Sequence, residues 1–194
     1  MALQGGKAAG RSPRGQYRAP ARKVRRVSNG PRPRGAEVTD STDSSPPGYY
    51  LQSMSNRAEK NKDVVRAFVD AVNRQDWDRV ATLVAPEFTR HSHAAGSPGV
   101  RSRGELLRFL QAEFETFPDA REEIADILAE GDRVAVRHSF RGTQAGPMGP
   151  YPPSGRIMSA DYLAIYRLEN GVIVEAWAEW DNQSGLVQLG HVQR

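Results

Sequence analysis

Three residues of this chain combine proton-transfer chemistry with positions on predicted strands: His91, His138 and Tyr162. An imidazole has a reference pKa of about 6.5, so either histidine could act as a general base near neutral pH. The Tyr162 hydroxyl could donate a hydrogen bond to a substrate carbonyl or enolate. Each also has a structural interpretation, because His91 could hold a loop at a strand end and the other two could be satisfied core residues. We take the three as candidate catalytic residues.

The strand nearest the C-terminus would supply a wall for such a site. Ala176, Ala178 and Trp180 alternate along it, so they share one face. Two methyl groups and an indole leave space and apolar contact area but transfer no protons. Asp181 follows at a position typical of a helix cap, which favours a structural role for its carboxylate.

The partners of these alanines depend on the hairpin at Asn170-Gly171. A two-residue turn would place Leu163 and Asp161 beside the alanines. A three-residue loop with a glycine bulge would place Tyr162 and Ala164 there instead. A shift of one residue exchanges the two faces of a strand, and the turn sequence alone leaves both arrangements open.

Apolar spacing predicts helices first and a strand meander after them, which is an α+β domain. Residues 120–129 are ambiguous because their alternation is poor. A long loop spans Gly142 to Gly155, and its part from Gly146 to Gly155 is either a lid over the pocket or a plain connection. The predicted helices cover residues 56–75, a short segment after Asp76 or Asp78 that ends at Pro86, residues from Ser102 to before Pro118, and a short terminal helix over 184–190. The predicted strands cover residues 87–91, 133–140, 156–168 and 172–181.

Residues 1–55 differ in composition from the rest of the chain. They hold ten Lys/Arg and three acids, a net charge of +7, whereas residues 56–194 carry a net charge of −3. The segment is rich in Gly, Pro, Ser and Arg and cannot build a core, so it is predicted to be a disordered tail before one domain at 56–194. Its basic run Arg22-Lys23-Val24-Arg25-Arg26 could contact nucleic acid, the tail could be a solvated arm, or it could reflect the choice of start site; nucleic acid is not the expected partner.

The chain contains no cysteine, which excludes disulfides, thiolate metal sites and cysteine nucleophiles. No apolar run is long enough for a membrane span, and the basic N-terminus lacks the apolar stretch of a secretion signal. We expect a cytoplasmic protein. His91 and His93 form a His-x-His pair, but a third metal ligand is not in view, so no metal site is predicted.

Several short segments of residues 56–190 together resemble one family in their order and spacing. This part of the chain is similar to the SnoaL-like polyketide cyclases, also called ester cyclases, of the nuclear-transport-factor-2-like superfamily. The matching segments are Asn61 to Phe68, Leu83 to His91, Phe117-Pro118-Asp119, Glu130 to Arg137, Pro152 to Arg156, Tyr166 to Gly171, Trp180-Asp181 and Leu189-Gly190.

The resemblance implies a cone in which three helices pack on a strongly curved, mostly antiparallel sheet around a pocket, and it implies a homodimer. Founding members close a polyketide ring by an intramolecular aldol step without metal or cofactor, using a His and an Asp on the last strand. Those positions are Ala176 and Ala178 here, and a further family histidine falls on Ala164. His91 does match a family histidine. The family arrangement favours the bulged hairpin, with Ala164 opposite Ala176 and Tyr162 opposite Ala178.

The resemblance therefore implies cofactor-free acid/base chemistry on a small hydrophobic carbonyl compound, with His91, Tyr162 and His138 as the catalytic candidates. The predicted pocket-binding residues are Phe68, Phe88, Ala164, Ala176, Ala178 and Trp180. Two alternatives stay open: a non-catalytic domain for ligand binding or dimerisation, and a relative of the epoxide hydrolases or hydroxylases. The epoxide reaction needs pocket carboxylates, and few are predicted there.

Overall fold

The computed structural model describes residues 47–92 and 99–193, with side chains from residue 56 onward. They belong to one unit, Ser44–Arg194. The predicted tail over residues 1–46 and the second histidine of the His-x-His pair, His93, lie outside the described residues.

The described part of the chain forms four helices and five strands, with the helices mainly before the strand meander. This confirms the predicted α+β class. In chain order the elements are α1 (Pro47–Asn73), α2 (Trp77–Leu83), β1 (Val84–His91), α3 (Arg103–Thr116), β2 (Arg121–Glu130), β3 (Arg133–Thr143), β4 (Ile157–Glu169), β5 (Val172–Trp180) and α4 (Asn182–Leu189).

Local capping fixes where the short elements begin. The Asp76 carboxylate accepts a hydrogen bond from the Arg79 backbone N–H and starts α2. Ser102 caps α3 in the same way through the Glu105 N–H, at 3.2 Å. The Glu105 carboxylate in turn accepts from the Arg101 N–H at 2.7 Å, one residue earlier than in a regular capping box.

Two boundaries differ from the sequence prediction. Helix α1 begins at Pro47, well before the predicted start at Asn56, so the end of the segment predicted to be a tail is helical. Strand β1 begins at Val84 and includes Pro86, which the sequence reading used as a helix stop. Proline is compatible with this place because β1 is the edge strand of the sheet.

The five strands form one sheet in the order β1-β5-β4-β3-β2, in which β1 is parallel to β5 and the other neighbours are antiparallel. The ambiguous segment is β2, a strand whose register against β3 shifts between Ile124 and Asp126. This bulge reverses the inward and outward positions along the strand, which explains the poor alternation of its sequence.

The hairpin between β4 and β5 combines features of both predicted arrangements. Asn170 and Gly171 both have positive φ and form a two-residue turn that pairs Glu169 with Val172. A bulge then follows within β5, between Ile173 and Glu175, instead of in the turn.

Because the bulge lies inside β5, the observed register differs from the predicted register by two residues. Ala164 lies opposite Ala178, and Tyr162 lies opposite Trp180. The predicted pairs, Ala164 with Ala176 and Tyr162 with Ala178, are therefore wrong. A shift of two residues preserves the face, so these side chains still point to the same side of the sheet.

The main core lies between that face and helices α1, α2 and α3. Val65, Val69, Val80, Val134 and Ile173 are among its most buried members. A smaller cluster packs under α4 around Phe117, Phe140, Met158 and Leu189. The helices therefore cover one face of the sheet, and the space that they leave against it is where a ligand could enter.

Candidate functional site: a carboxyl-lined cavity under the helices

An inner cavity of about 80 Å³ lies between helices α1 and α3 and the inner face of the sheet. Its apolar wall includes all six residues predicted to bind a ligand, which the fold brings together from four elements. That they contact a ligand stays a prediction. The wall residues are Phe68, Val72, Phe88, Leu106, Phe109, Leu110, Ala164, Ala176, Ala178 and Trp180, and the polar ones are Arg90, Glu113, Glu122, Tyr162 and Tyr166.

Tyr162 and Glu122 form the best-defined polar contact of the inner cavity. The Tyr162 hydroxyl donates a hydrogen bond to Glu122 Oε1 at 2.7 Å. Burial raises the pKa of Tyr162 well above its usual range, and the neighbouring Glu122 charge raises it further, so the hydroxyl keeps its proton. Burial also raises the Glu122 pKa, while the bond from Tyr162 and the charge of Arg90 oppose that change.

The backbone of Glu122 is fixed from helix α1. The Asn73 side-chain amide donates to the Glu122 carbonyl at 2.7 Å and accepts from the Glu122 N–H at 2.8 Å. Asn73 thus occupies both backbone groups of one strand residue with one side chain. Because the strand cannot slide past this clamp, the Glu122 carboxyl is held at the cavity.

A second carboxyl, Glu113 of α3, lines the same cavity. Burial raises its pKa from 4.5 to about 8, and the Glu122 charge adds to the rise while Arg90 opposes it. Glu113 is therefore protonated at neutral pH. Two carboxyls in one cavity can serve as an acid and a base when one is protonated and the other is not.

Arg90 supplies the cation of the inner cavity. It lies on β1, where its backbone N–H bonds to the Val100 carbonyl at 2.8 Å, and its guanidinium lies over the Phe109 ring at 4.8 Å. Its buried Nη1 has no hydrogen-bond partner among the described residues. A buried donor without a partner is costly, and a ligand oxygen could relieve that cost.

His138 lies behind the cavity wall. It is fully buried, its ring stacks on Tyr162 with centroids 4.5 Å apart, and its Nε2 is 3.0 Å from the Tyr166 hydroxyl. Its Nδ1 is 3.6 Å from Glu122 Oε2, too far for a normal hydrogen bond. Burial lowers the His138 pKa to about 4, so the ring is neutral and positions the two tyrosines.

His91 does not line the inner cavity. It lies on the outer face of the sheet, where its Nε2 contacts Glu175 Oε1 at 2.8 Å and its ring stacks on Trp177. The physical reason is strand alternation: Phe88 and Arg90 face inward, so their neighbour His91 faces outward. The structure thus places this catalytic candidate outside the site.

Arg90, Glu113 and Glu122 are not among the residues predicted from the sequence, although each has a signal there. Arg90 is two residues after Phe88, so it shares the face assigned to the pocket. Glu113 falls three residues after Leu110, on the apolar stripe of α3. Glu122 is two residues before Ile124 on the inward face of β2, but the bulge in β2 hid that alternation.

Asp181 has the structural role predicted for it. Its carboxylate accepts from the Ser184 N–H at 3.0 Å and caps α4. Among the described residues, no group of three or more His, Cys, Asp or Glu side chains is arranged to hold a metal ion. No helix in the described part is long and apolar enough to cross a membrane.

Several solved structures have folds similar to that of this chain. AclR from Streptomyces galilaeus, a proposed hydroxylase, is 26% identical with a TM-score of 0.62, over 70% of this chain and 99% of that chain. IdmH from Streptomyces antibioticus, a proposed polyketide cyclase, is 31% identical with a TM-score of 0.61, over 67% and 98%. TsrD from Streptomyces laurentii is 25% identical with a TM-score of 0.62, over 69% and 97%. No curated protein sequence matches the chain.

The fold and the cavity define an α+β protein of the nuclear-transport-factor-2-like class, a cone of helices on a mixed sheet. The family model of the SnoaL-like polyketide cyclases matches residues 62–189. The chain belongs to that family.

Proposed function

We propose that this protein is an enzyme that performs cofactor-free acid/base chemistry on a small hydrophobic carbonyl compound, closing a ring by an intramolecular aldol step. The observation that supports it is the pair of carboxyls, Glu113 and Glu122, in one cavity with Arg90. Ala176 and Ala178 leave space in the same cavity. The proton-transfer groups that the last strand lacks are supplied by α3 and β2.

Glu122 is the base in this proposal. Its carboxylate removes a proton from the carbon next to a substrate ketone, and the electron pair moves into an enolate. Arg90 binds the enolate oxygen through its unpartnered N–H group. The hydroxyl of Tyr162 holds the Glu122 carboxylate in place.

Glu113 is the acid. The enolate carbon attacks a second carbonyl carbon of the same molecule, a C–C bond forms, and the C–O π bond becomes an alkoxide. Glu113 gives its proton to that alkoxide, because its raised pKa keeps it protonated until this step. The proton taken up by Glu122 then passes to Glu113, which restores the starting state.

The epoxide-hydrolase alternative gains support from the same carboxyls, since the sequence reading counted their absence against it. A carboxylate could activate water, and an acid could protonate the epoxide oxygen. The aldol proposal is preferred because Arg90 provides a cation for an enolate oxygen. The binding-only alternative predicts no proton transfer at all.

Hydrogen–deuterium exchange at the carbons next to the ketone of 2-tetralone tests the proposal, because it reports proton abstraction without requiring the natural substrate. In D₂O, NMR should show exchange with the wild-type protein that is lost in Glu122→Gln. Wild-type exchange no faster than the buffer rate would contradict the enzyme proposal and favour a binder. A second experiment incubates the protein with styrene oxide and analyses the products by chromatography. Formation of the diol would favour the epoxide-hydrolase alternative.

We also propose that the protein is a homodimer through the outer face of the sheet. The exposed large apolar side chains of the described residues, Leu128, Ile157, Leu163 and Ile165, all lie on that face. Light scattering on the wild type and on Leu163→Asp tests this, with a shift from dimer to monomer expected. A monomeric wild type would contradict it. The expected cytoplasmic location stays a prediction.

A further inference from the structure

A second cavity, of about 380 Å³, lies between the β3–β4 loop and α4. Ligand sites in proteins commonly measure about 300–1,000 Å³, a range that the second cavity reaches and the 80 Å³ inner cavity does not. We call it the loop cavity. Its lining comprises Phe117, Met148, Gly149, Pro150, Tyr151, Met158, Ala160, Trp180, Asp181, Asn182, Gly185 and Leu186.

Trp180 is common to both cavities. Its indole packs edge to face on Tyr162, at 5.8 Å between centroids, on the inner-cavity side. It also packs on Phe140 at 6.3 Å. Its buried Nε1–H has no hydrogen-bond partner among the described residues. The indole therefore forms part of the lining of both cavities.

The β3–β4 loop forms one wall of the loop cavity, and several contacts hold this loop in place. Buried Gln144 donates to the carbonyls of Gly146 and Pro152 at 3.2 and 3.1 Å, and its Oε1 accepts from His191 Nε2 at 2.7 Å. Tyr151 stacks on the same His191 ring, with centroids 4.7 Å apart.

The base of the loop approaches α3 so closely that it requires glycine. A Cβ on Gly146 would lie 2.2 Å from the Glu115 carbonyl oxygen. Thr116 Oγ1 adds a bond to the Pro147 carbonyl at 2.9 Å. These contacts fix the loop side of the loop cavity.

We propose that the loop cavity binds the apolar, fused-ring body of the substrate, while the reacting carbonyl end extends past Trp180 into the inner cavity. This inference rests on the proposed function for the role of the inner cavity. The chemistry of the lining selects the ligand class: Phe117, Tyr151 and Trp180 provide aromatic contacts, and Met148 and Met158 adapt to ring edges. Ligands with one small ring would leave most of this space empty.

The test uses 1,8-dihydroxyanthraquinone as the probe and the full chain labelled with 5-fluorotryptophan. The three tryptophans give three fluorine signals, and Trp180→Phe identifies the relevant one. We expect the probe to shift the Trp180 signal more than that of Trp77, which lies on α2. A Trp180 signal that does not move, or a wild type that does not bind the probe, would overturn the proposal.

Filling variants locate the site. Ala160→Leu on β4 and Leu186→Phe on α4 add volume to the loop cavity from opposite sides, so each should weaken probe binding at least tenfold by calorimetry. Ala125→Leu, at an exposed alanine in the β2 bulge, is the matched control and should change binding less than twofold. Unchanged binding in both filling variants would overturn the assignment, and the use of two variants protects the test if one fails to fold.

The result of the probe-binding test can be distinguished from that of the 2-tetralone exchange test, because probe binding does not require a chemical reaction. Exchange of 2-tetralone in the absence of probe binding overturns the loop-cavity assignment and leaves the enzyme proposal in place. Probe binding at Trp180 without exchange supports the loop-cavity site and contradicts the enzyme proposal.

Discussion

On the outer face of the sheet, Glu175 accepts hydrogen bonds from Arg167 and His91 at 2.8 Å each. On the inner side, Glu113 and Glu122 share a cavity with Arg90, whose Nη1 has no hydrogen-bond partner among the described residues. The bond from Arg167 is the largest cause of a lowered pKa for Glu175, whereas burial raises the pKa of both inner carboxyls. The same side-chain type thus has a lowered pKa on one face of the sheet and a raised pKa on the other.

The histidines show the same contrast. His91 is half exposed, and its Nε2 contacts the Glu175 carboxylate at 2.8 Å. His138 is fully buried between tyrosines and has a pKa lowered to about 4. Neither ring lines the inner cavity. The groups that line it include the carboxyls of Glu113 and Glu122, whose pKa values are raised by burial.

Of the substitutions that test this comparison, Glu122→Gln in the inner cavity should have the largest effect, which is on the rate of 2-tetralone exchange. Removal of a positioned general base costs about 10²–10⁴ in rate, so 2-tetralone exchange should fall by that factor. Glu123→Gln, an exposed residue one position along β2, should keep the wild-type rate. A Glu122→Gln protein that is folded by circular dichroism and exchanges at the wild-type rate would refute the role of Glu122.

His138→Ala should produce the next largest effect, on stability. The change removes a fully buried ring that supports Tyr162 and Tyr166, and comparable large-to-small core substitutions cost about 2–4 kcal/mol. His91→Ala on the outer face should cost less than about 1 kcal/mol. Urea unfolding of both variants measures the difference, and equal costs would show that the two faces do not differ in packing as described.

Glu113→Gln should change the pH dependence. The unfolded carboxyl ionises above about 4.5, while the folded one stays protonated up to about 8. The folded wild type should therefore lose stability as pH rises between these values, with no further loss above pH 8.

Unfolding in urea at pH 5 and pH 8 measures this effect. Relative to the wild type, Glu113→Gln should lose roughly 1–3 kcal/mol less between the two values. Glu115→Gln, at an exposed position of the same helix, should behave like the wild type. Parallel pH profiles for Glu113→Gln and the wild type would mean that the Glu113 pKa is not raised.

Much of the fold was predictable because its signals are local. Helical spacing identified α1 to α3, and Ser102 and Asp181 cap helices as expected. The face shared by Ala176 and Ala178 also followed from alternation alone. The hairpin register did not, because the bulge lies inside β5, where the turn sequence carries no information.

The candidate site was less predictable because residue type was weighed before position. The imidazole of His91 is a typical general base, but the inward position of Phe88 implies that His91 faces outward. Glu113 and Glu122 were not among the predicted site residues, since a single acid on an apolar stripe is a weak signal until the cavity is known. A long-range contact such as the Asn73 clamp on Glu122 cannot be seen in local patterns.

Glu175→Gln, on the outer face of the sheet, should have the smallest effect of these substitutions, which is a small loss of stability. It removes the acceptor for Arg167 and His91, and ion pairs at a protein surface contribute only about 0.2–1 kcal/mol. Because the Glu175 pKa is lowered in the folded state, this contribution is present above about pH 4.5 and is lost as pH falls through the folded value. Thermal unfolding at low and high salt should show a small loss at pH 7 that salt reduces further. A loss of several kcal/mol, or a fall in 2-tetralone exchange, would mean that the outer face communicates with the cavity and that the two sides of the sheet are not independent.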